Sequence, residues 1–134
     1  MTRLTIRIDF DEACAFGPGK ARLLECIDSE GSIRAAAAAM GMSYRRAWML
    51  LKDIDAIVGG PASAAATGGA RGGGTTLTKT GRAVLNHYRA IEKRAQISAS
   101  RNLAALAKLV ARPPAAATAR TLRKRTSGAM PKAR

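Results

Sequence analysis

Three helical periods in close succession, an alternating apolar run ahead of them and a glycine-rich segment bounded by strand signals predict a mainly α fold with a small β component. Arranged in that order, these elements make a winged helix-turn-helix with an N-terminal strand, a Gly-rich β-hairpin wing and a long C-terminal helix. A chain of 134 residues is enough for one compact domain with extensions. The expected division is a winged helix-turn-helix domain at 1–95, a helical extension at 96–111 and a disordered basic tail at 112–134.

Leu4, Ile6, Ile8 and Phe10 alternate with Thr5, Arg7 and Asp9, the period of a half-buried strand that needs a partner. Gly17, Pro18 and Gly19 punctuate the chain, and Ala21, Leu23, Leu24 and Ile27 then fall at helical spacing as far as about Glu30, with Pro18 suited to a helix start. Ser32 is the expected N-cap of a second helix through Met40, with Ile33, Ala36 and Ala37 inward, and Gly41 ends it. Ser43 caps a third helix to about Val58, stopped by Gly59, Gly60 and Pro61. Strands at Ala62 to Thr67 and Thr75 to Thr78 bound the glycine-rich tip. Thr78 or Thr80 caps a fourth helix whose stripe is Val84, Leu85, Tyr88, Ile91 and Ala95, and the polar run Gln96 to Asn102 interrupts it before Leu103, Leu106, Leu109 and Val110 resume the period.

The formal net charge is +14, a self-repulsion that an anionic partner relieves, and nucleic acid is the expected one. The only carboxylate after Asp55 is Glu92, so the C-terminal half is a polycation. From Arg112 to Arg134 the cations Arg112, Arg120, Arg123, Lys124, Arg125, Lys132 and Arg134 meet no acid, a composition that adds non-specific, salt-sensitive affinity and little sequence information. Cys14, Cys26 and His87 have no metal-ligand spacing, and a closed site takes four ligands, so no metal and no cofactor is expected. No catalytic pattern of nucleophile and base, or of paired carboxylates, is recognisable, which points away from an enzyme. No apolar run reaches the roughly 18 residues of a membrane span, and the opening MTRLTIRIDFDE is unlike a signal peptide. The expected location is cytoplasmic.

The second and third helices with the turn at Gly41 form a helix-turn-helix in which small residues such as Ala36 and Ala37 permit a close crossing. On a wheel of 3.6 residues per turn, Ala47, Leu50, Leu51, Ile54 and Val58 face the core, and Arg45, Met49 and Lys52 point away. Ser43 and Tyr44 sit in the first turn, where the positive end of the helix favours phosphate, and Arg46 lies on a flank. Trp48, on the other flank, is expected to pack as a boundary anchor. An exposed helix of this kind fits a B-DNA major groove, with Arg45 as the candidate for a bidentate contact to guanine. Arg71 in the wing tip and Thr75 on the returning strand complete the candidate DNA contacts. The tip GGARGGG lacks the Lys-Ser/Thr ending of a nucleotide-binding loop.

The run FGPGKARLLECIDSEGSIRAAAAAMGMSYRRAWMLLKDID, followed by ATGGARGGGTTLTKTGRAVL, resembles the N-terminal DNA-binding domain of ModE-type molybdenum-responsive regulators over about residues 4 to 95. LTKTGRAVL behind a Gly-rich wing is also similar to LysR-type regulators. The resemblance implies a bacterial transcription factor that binds double-stranded DNA as a homodimer built from the N-terminal strand and the long helix. It supports Ser43, Tyr44, Arg45 and Arg46 as the start of the reader. Molybdate binding is not expected, because the segment SASRN, similar to the opening of the family's effector domains, leads here into AALAKLVARPP. Two competing readings are a nucleoid-associated architectural protein dominated by the tail, and a metal or small-ligand sensor using Cys14, Cys26 and His87.

Overall fold

The computed structural model describes residues 2–66 and 74–111. The chain divides into two compact units, one running from Arg3 to Ser98 and the other beginning at Ala99. The wing tip with Arg71 and the basic C-terminal run lie outside the described residues.

The first unit opens with an antiparallel pair, β1 (Ile8–Asp11) and β2 (Cys14–Phe16), in which Ile8 faces Phe16. The alternation from Leu4 predicts a longer strand than forms: its pairing starts only at Ile8. Leu4, Ile6 and Ile8 are half-buried as the period requires, and Phe10 is the exception at 62% exposed. The partner strand is the sequence-local β2, whose three residues carry no alternation.

Helix α1 (Pro18–Glu30) begins at its proline and ends at Gly31. Helix α2 (Ile33–Ala39) is capped by Ser32, whose Oγ accepts from the Ala35 N–H at 3.0 Å. Gly41 turns the chain at φ +67°, a left-handed conformation that a Cβ disfavours. The Met42 N–H donates back to the Ala37 carbonyl at 3.0 Å and closes the turn. Helix α3 (Tyr44–Val58) then crosses α2. Ala36, Ala37 and Ala47 are fully buried where the helices pack, as a close crossing through small side chains requires.

Strands β3 (Ser63–Ala65) and β4 (Thr75–Leu77) pair antiparallel, Ser63 opposite Leu77, and occupy the place of the expected wing. The Thr75 N–H donates to the Gly31 carbonyl at 2.7 Å, tying β4 to the corner between α1 and α2. Helix α4 (Lys79–Ser98) is capped by Thr78, whose Oγ1 accepts from the Gly81 N–H at 3.1 Å and donates to the Pro61 carbonyl at 2.8 Å. One core joins Phe16, Leu23, Leu24, Ile27, Leu51 and Ile54 to Leu77, Leu85 and Tyr88. The predicted α4 stripe is buried at Leu85 and Tyr88 and half-buried at Val84 and Ala95, but Ile91 stands 44% exposed, on the apolar groove that it lines with Ile8 and Phe10.

In the second unit, α5 (Ser100–Leu109) is an amphipathic helix with no buried residue. No described helix is long and apolar enough to cross a membrane.

Candidate nucleic-acid interface

Ser43 precedes α3 in extended conformation, and its Oγ accepts from the Arg46 N–H at 3.1 Å. That bond satisfies one of the helix's free first-turn donors and leaves Ser43 engaged as a cap. Ala47, Leu51 and Ile54 are buried, with Leu50 and Val58 packed against the core. The opposite face is open: Tyr44, Arg45, Arg46, Met49 and Lys52 are all exposed.

Four of the predicted contact residues come together. Ser43, Arg45, Arg46 and Met49 line one shallow hollow of about 290 Å³ along the first half of α3, with Asp53 at its far end. The other four are elsewhere or otherwise occupied. The Arg34 guanidinium lies 4.9 Å above the Tyr44 ring, a cation–π contact that fixes the ring against α2. Lys52 turns back along its own helix, its Nζ 5.1 Å from the Trp48 ring centroid and 3.7 Å from Asp55 Oδ2. Thr75 is half-buried and its N–H is bonded to Gly31. Arg71 lies outside the described residues.

Trp48 corrects the sequence reading. It stands 44% exposed beside Lys52 and is not among the side chains packed on the core. A wheel gives a flank residue its angle, but not whether a neighbouring element reaches far enough to cover it. Arg34 is the residue that sequence reasoning missed; it follows the Ser32 cap, but its approach to Tyr44 depends on the crossing of α2 and α3.

Three carboxylates, Glu25, Asp28 and Glu92, are neutralised away from this face. Arg82 grips Asp28 with two hydrogen bonds of 2.7 and 3.1 Å, and its donated hydrogen bond holds the Asp28 carboxyl below the usual carboxylate value. Arg89 bonds Glu25 and, at 2.6 Å, Glu92, so α1 and α4 are laced by paired charges. Asp55 Oδ1 accepts from the Ala62 N–H at 2.9 Å and so anchors the base of β3. On the reader, among the described residues, no carboxylate lies within 4.0 Å of the charged atoms of Arg45 or Arg46, and the exposed Asp53 at the far end of the hollow is likewise in no ion pair.

The order β1–β2–α1–α2–α3–β3–β4–α4 and the packing of α2 against α3 define a winged helix-turn-helix fold. The crystal structure of the CbnR_DBD–DNA complex has the same fold, with a TM-score of 0.51 and 24% identity, covering 66% of this chain and 95% of that one. No family model matches the chain. It is 39% identical over 85 residues to the molybdenum transport protein ModE of Azotobacter vinelandii, covering 63% of this chain and 32% of that protein. To the transcriptional regulator ModE of Haemophilus influenzae it is 35% identical over 92 residues, covering 69% of this chain and 36% of that protein. The matches fit an N-terminal helix-turn-helix of ModE-type regulators, and the chain spans about a third of the length of these curated relatives.

Proposed function

We propose that this chain binds double-stranded DNA as the reading part of a transcriptional regulator, placing the first half of α3 in the major groove. The observation that carries this reading is the hollow on α3, where Arg45, Arg46 and Met49 stand exposed around the Ser43 cap. Arg45 is the base-reading side chain, because a guanidinium can bond guanine in a bidentate way. Tyr44, stacked under Arg34, and Lys52, turned toward Trp48 and Asp55, stand exposed on the same helix, and Arg46 sits where the first-turn dipole also favours phosphate. Arg71, Thr75 and the basic run at 112–134 contribute backbone affinity without base choice. The role is one of binding and carries no chemical reaction.

Selection of bound sequences from random duplex DNA followed by Arg45→Ala tests the reading. The substitution is expected to cost about 1 to 3 kcal/mol on the selected sequence and to relax preference at one base position. Equal weakening on selected and unrelated duplexes would instead favour an architectural protein without sequence readout.

The chain is further proposed to act as a homodimer. Ile8, Phe10 and Phe16 of the first strand pair and Val84, Tyr88 and Ile91 of α4 line an almost wholly apolar groove of about 370 Å³. Exposed Phe10 and Ile91 lie on it, and a second copy would remove both from water. Sedimentation is expected to give a dimer that Ile91→Asp converts to a monomer; a monomer bound one-to-one to its site would overturn the pairing.

A further inference from the structure

The hollow on α3 does not stand alone. It shares Arg46 and Leu50 with a second groove of about 320 Å³ that runs past β2 to the start of α1. That groove in turn shares Pro18 and Gly19 with a third, of about 580 Å³, bounded by the chain's first residues and the second half of α4. The shared lining residues set the three side by side, as a trough in three segments leading away from the reader.

Its walls are cationic. Arg46 and Lys20 line the second groove, and Arg3, Arg22 and Lys93 the third. Among the described residues none of these five has a carboxylate within 4.0 Å of its charged atoms. The carboxylate of Glu92, on the wall of the third groove, is already held by Arg89 at 2.6 Å. Arg7 is paired with Asp9 and takes no part. The Lys20 ammonium donates to the Ala15 carbonyl at 2.6 Å, which fixes it at the wall. Where the second and third grooves meet, α1 starts at Gly17 without a side-chain cap, leaving the positive end of its dipole to add to the field.

We infer that the trough from Arg46 past Lys20 to Arg3, Arg22 and Lys93 carries the sugar-phosphate backbone of the DNA that flanks the site read by α3. This rests on the DNA-binding reading above. A duplex backbone suits the trough better than a compact ligand for two reasons. Small-molecule sites enclose most of their ligand, whereas these grooves are open and adjoin the reader through Arg46 and Leu50. Long cations spaced along a track, here four exposed and Lys20 half-buried, are also the groups that position phosphate without reading bases.

The test compares the full chain with the triple variant Arg3→Ala, Arg22→Ala, Lys93→Ala on a long duplex and on one trimmed to the segment under α3. On the long duplex the variant should lose affinity equally for selected and unrelated sequences. The slope of log affinity against log salt should fall by about 0.9 for each phosphate released. On the trimmed duplex the two proteins should bind alike, and the charge-preserving Arg3→Lys, Arg22→Lys, Lys93→Arg variant should behave as the parent on both. An unchanged salt slope in a triple variant that melts at the parent temperature would overturn the inference while leaving the reader intact. So would saturable binding of inorganic pyrophosphate that the triple variant abolishes with no change on DNA. A parent chain that binds no duplex overturns both this inference and the reading it rests on.

Discussion

Gly81→Ala is expected to lower the melting temperature by about 10 °C or more, from a loss of at least about 2 to 3 kcal/mol. A Cβ at this position would stand 2.0 Å from the Ala62 carbonyl oxygen and 2.9 Å from its carbon. Neither side can yield easily. Ala62 is fully buried, its N–H is bonded to Asp55 at 2.9 Å, and its carbonyl accepts from the Thr78 N–H at 2.9 Å. Gly81 is itself the donor to the Thr78 cap. The methyl group must therefore push α4 off the base of β3 or break the bonds that hold both. Gly19→Ala is the control: it too lies in a helix, and a Cβ there meets nothing within 4 Å. Calorimetry showing the same small change for both variants would rule out the close approach as the reason for glycine at 81.

Tyr88→Ala is expected to cost about 3 to 5 kcal/mol, the usual range for deleting a large buried ring, and Tyr88→Phe only about 1 kcal/mol. The ring is 2% exposed and meets Phe16 edge-on, with centroids 5.1 Å apart and planes at 67°. Its hydroxyl donates to the Ile6 carbonyl at 2.6 Å, and burial pushes the phenol pKa up. One side chain thus performs two jobs, filling the core between β2 and α4 and holding the chain's first residues on the helix. The phenylalanine variant separates them. It keeps the packing and releases the carbonyl, so amide exchange should speed up around residues 4–8 while urea unfolding shifts little. Equal losses from the two variants would mean that the hydroxyl bond, and not the ring, supplies the stability.

The helices were legible because local chemistry marks them. Pro18 starts α1, Ser32 and Ser43 cap α2 and α3, and Gly31 and Gly59 lie at their ends, each a residue whose conformation or side-chain oxygen favours that position. Strand β2 was not legible: three residues, Cys-Ala-Phe, are too few to show a period. Its existence follows from pairing with β1 and from Phe16 reaching Tyr88, both tertiary facts.

The candidate site divides along the same line. Which residues of α3 face outward follows from helical geometry, and the exposure of Arg45, Met49 and Lys52 matches the wheel. What those side chains touch does so only in part. The Lys52 contacts with Trp48 and Asp55 lie at helical spacings of four and three and could be read from the sequence. The trough could not, since Arg3, Lys20, Arg22 and Lys93 are scattered along the chain and meet only through the packing of α1 and α4. The Gly81 contact was equally hidden, because a glycine in a helix start announces no particular neighbour.

The Arg34–Tyr44 stack at 4.9 Å bears on how fast the chain can engage a partner. A free surface tyrosine or arginine gives up roughly 0.5 to 1.5 kcal/mol of rotamer freedom on being immobilised. Here two such side chains are already ordered against each other in the unbound chain. If DNA docks at that corner, as proposed above, docking needs little rearrangement, so encounters are more often productive, and loss of the arginine should slow association before it hastens release.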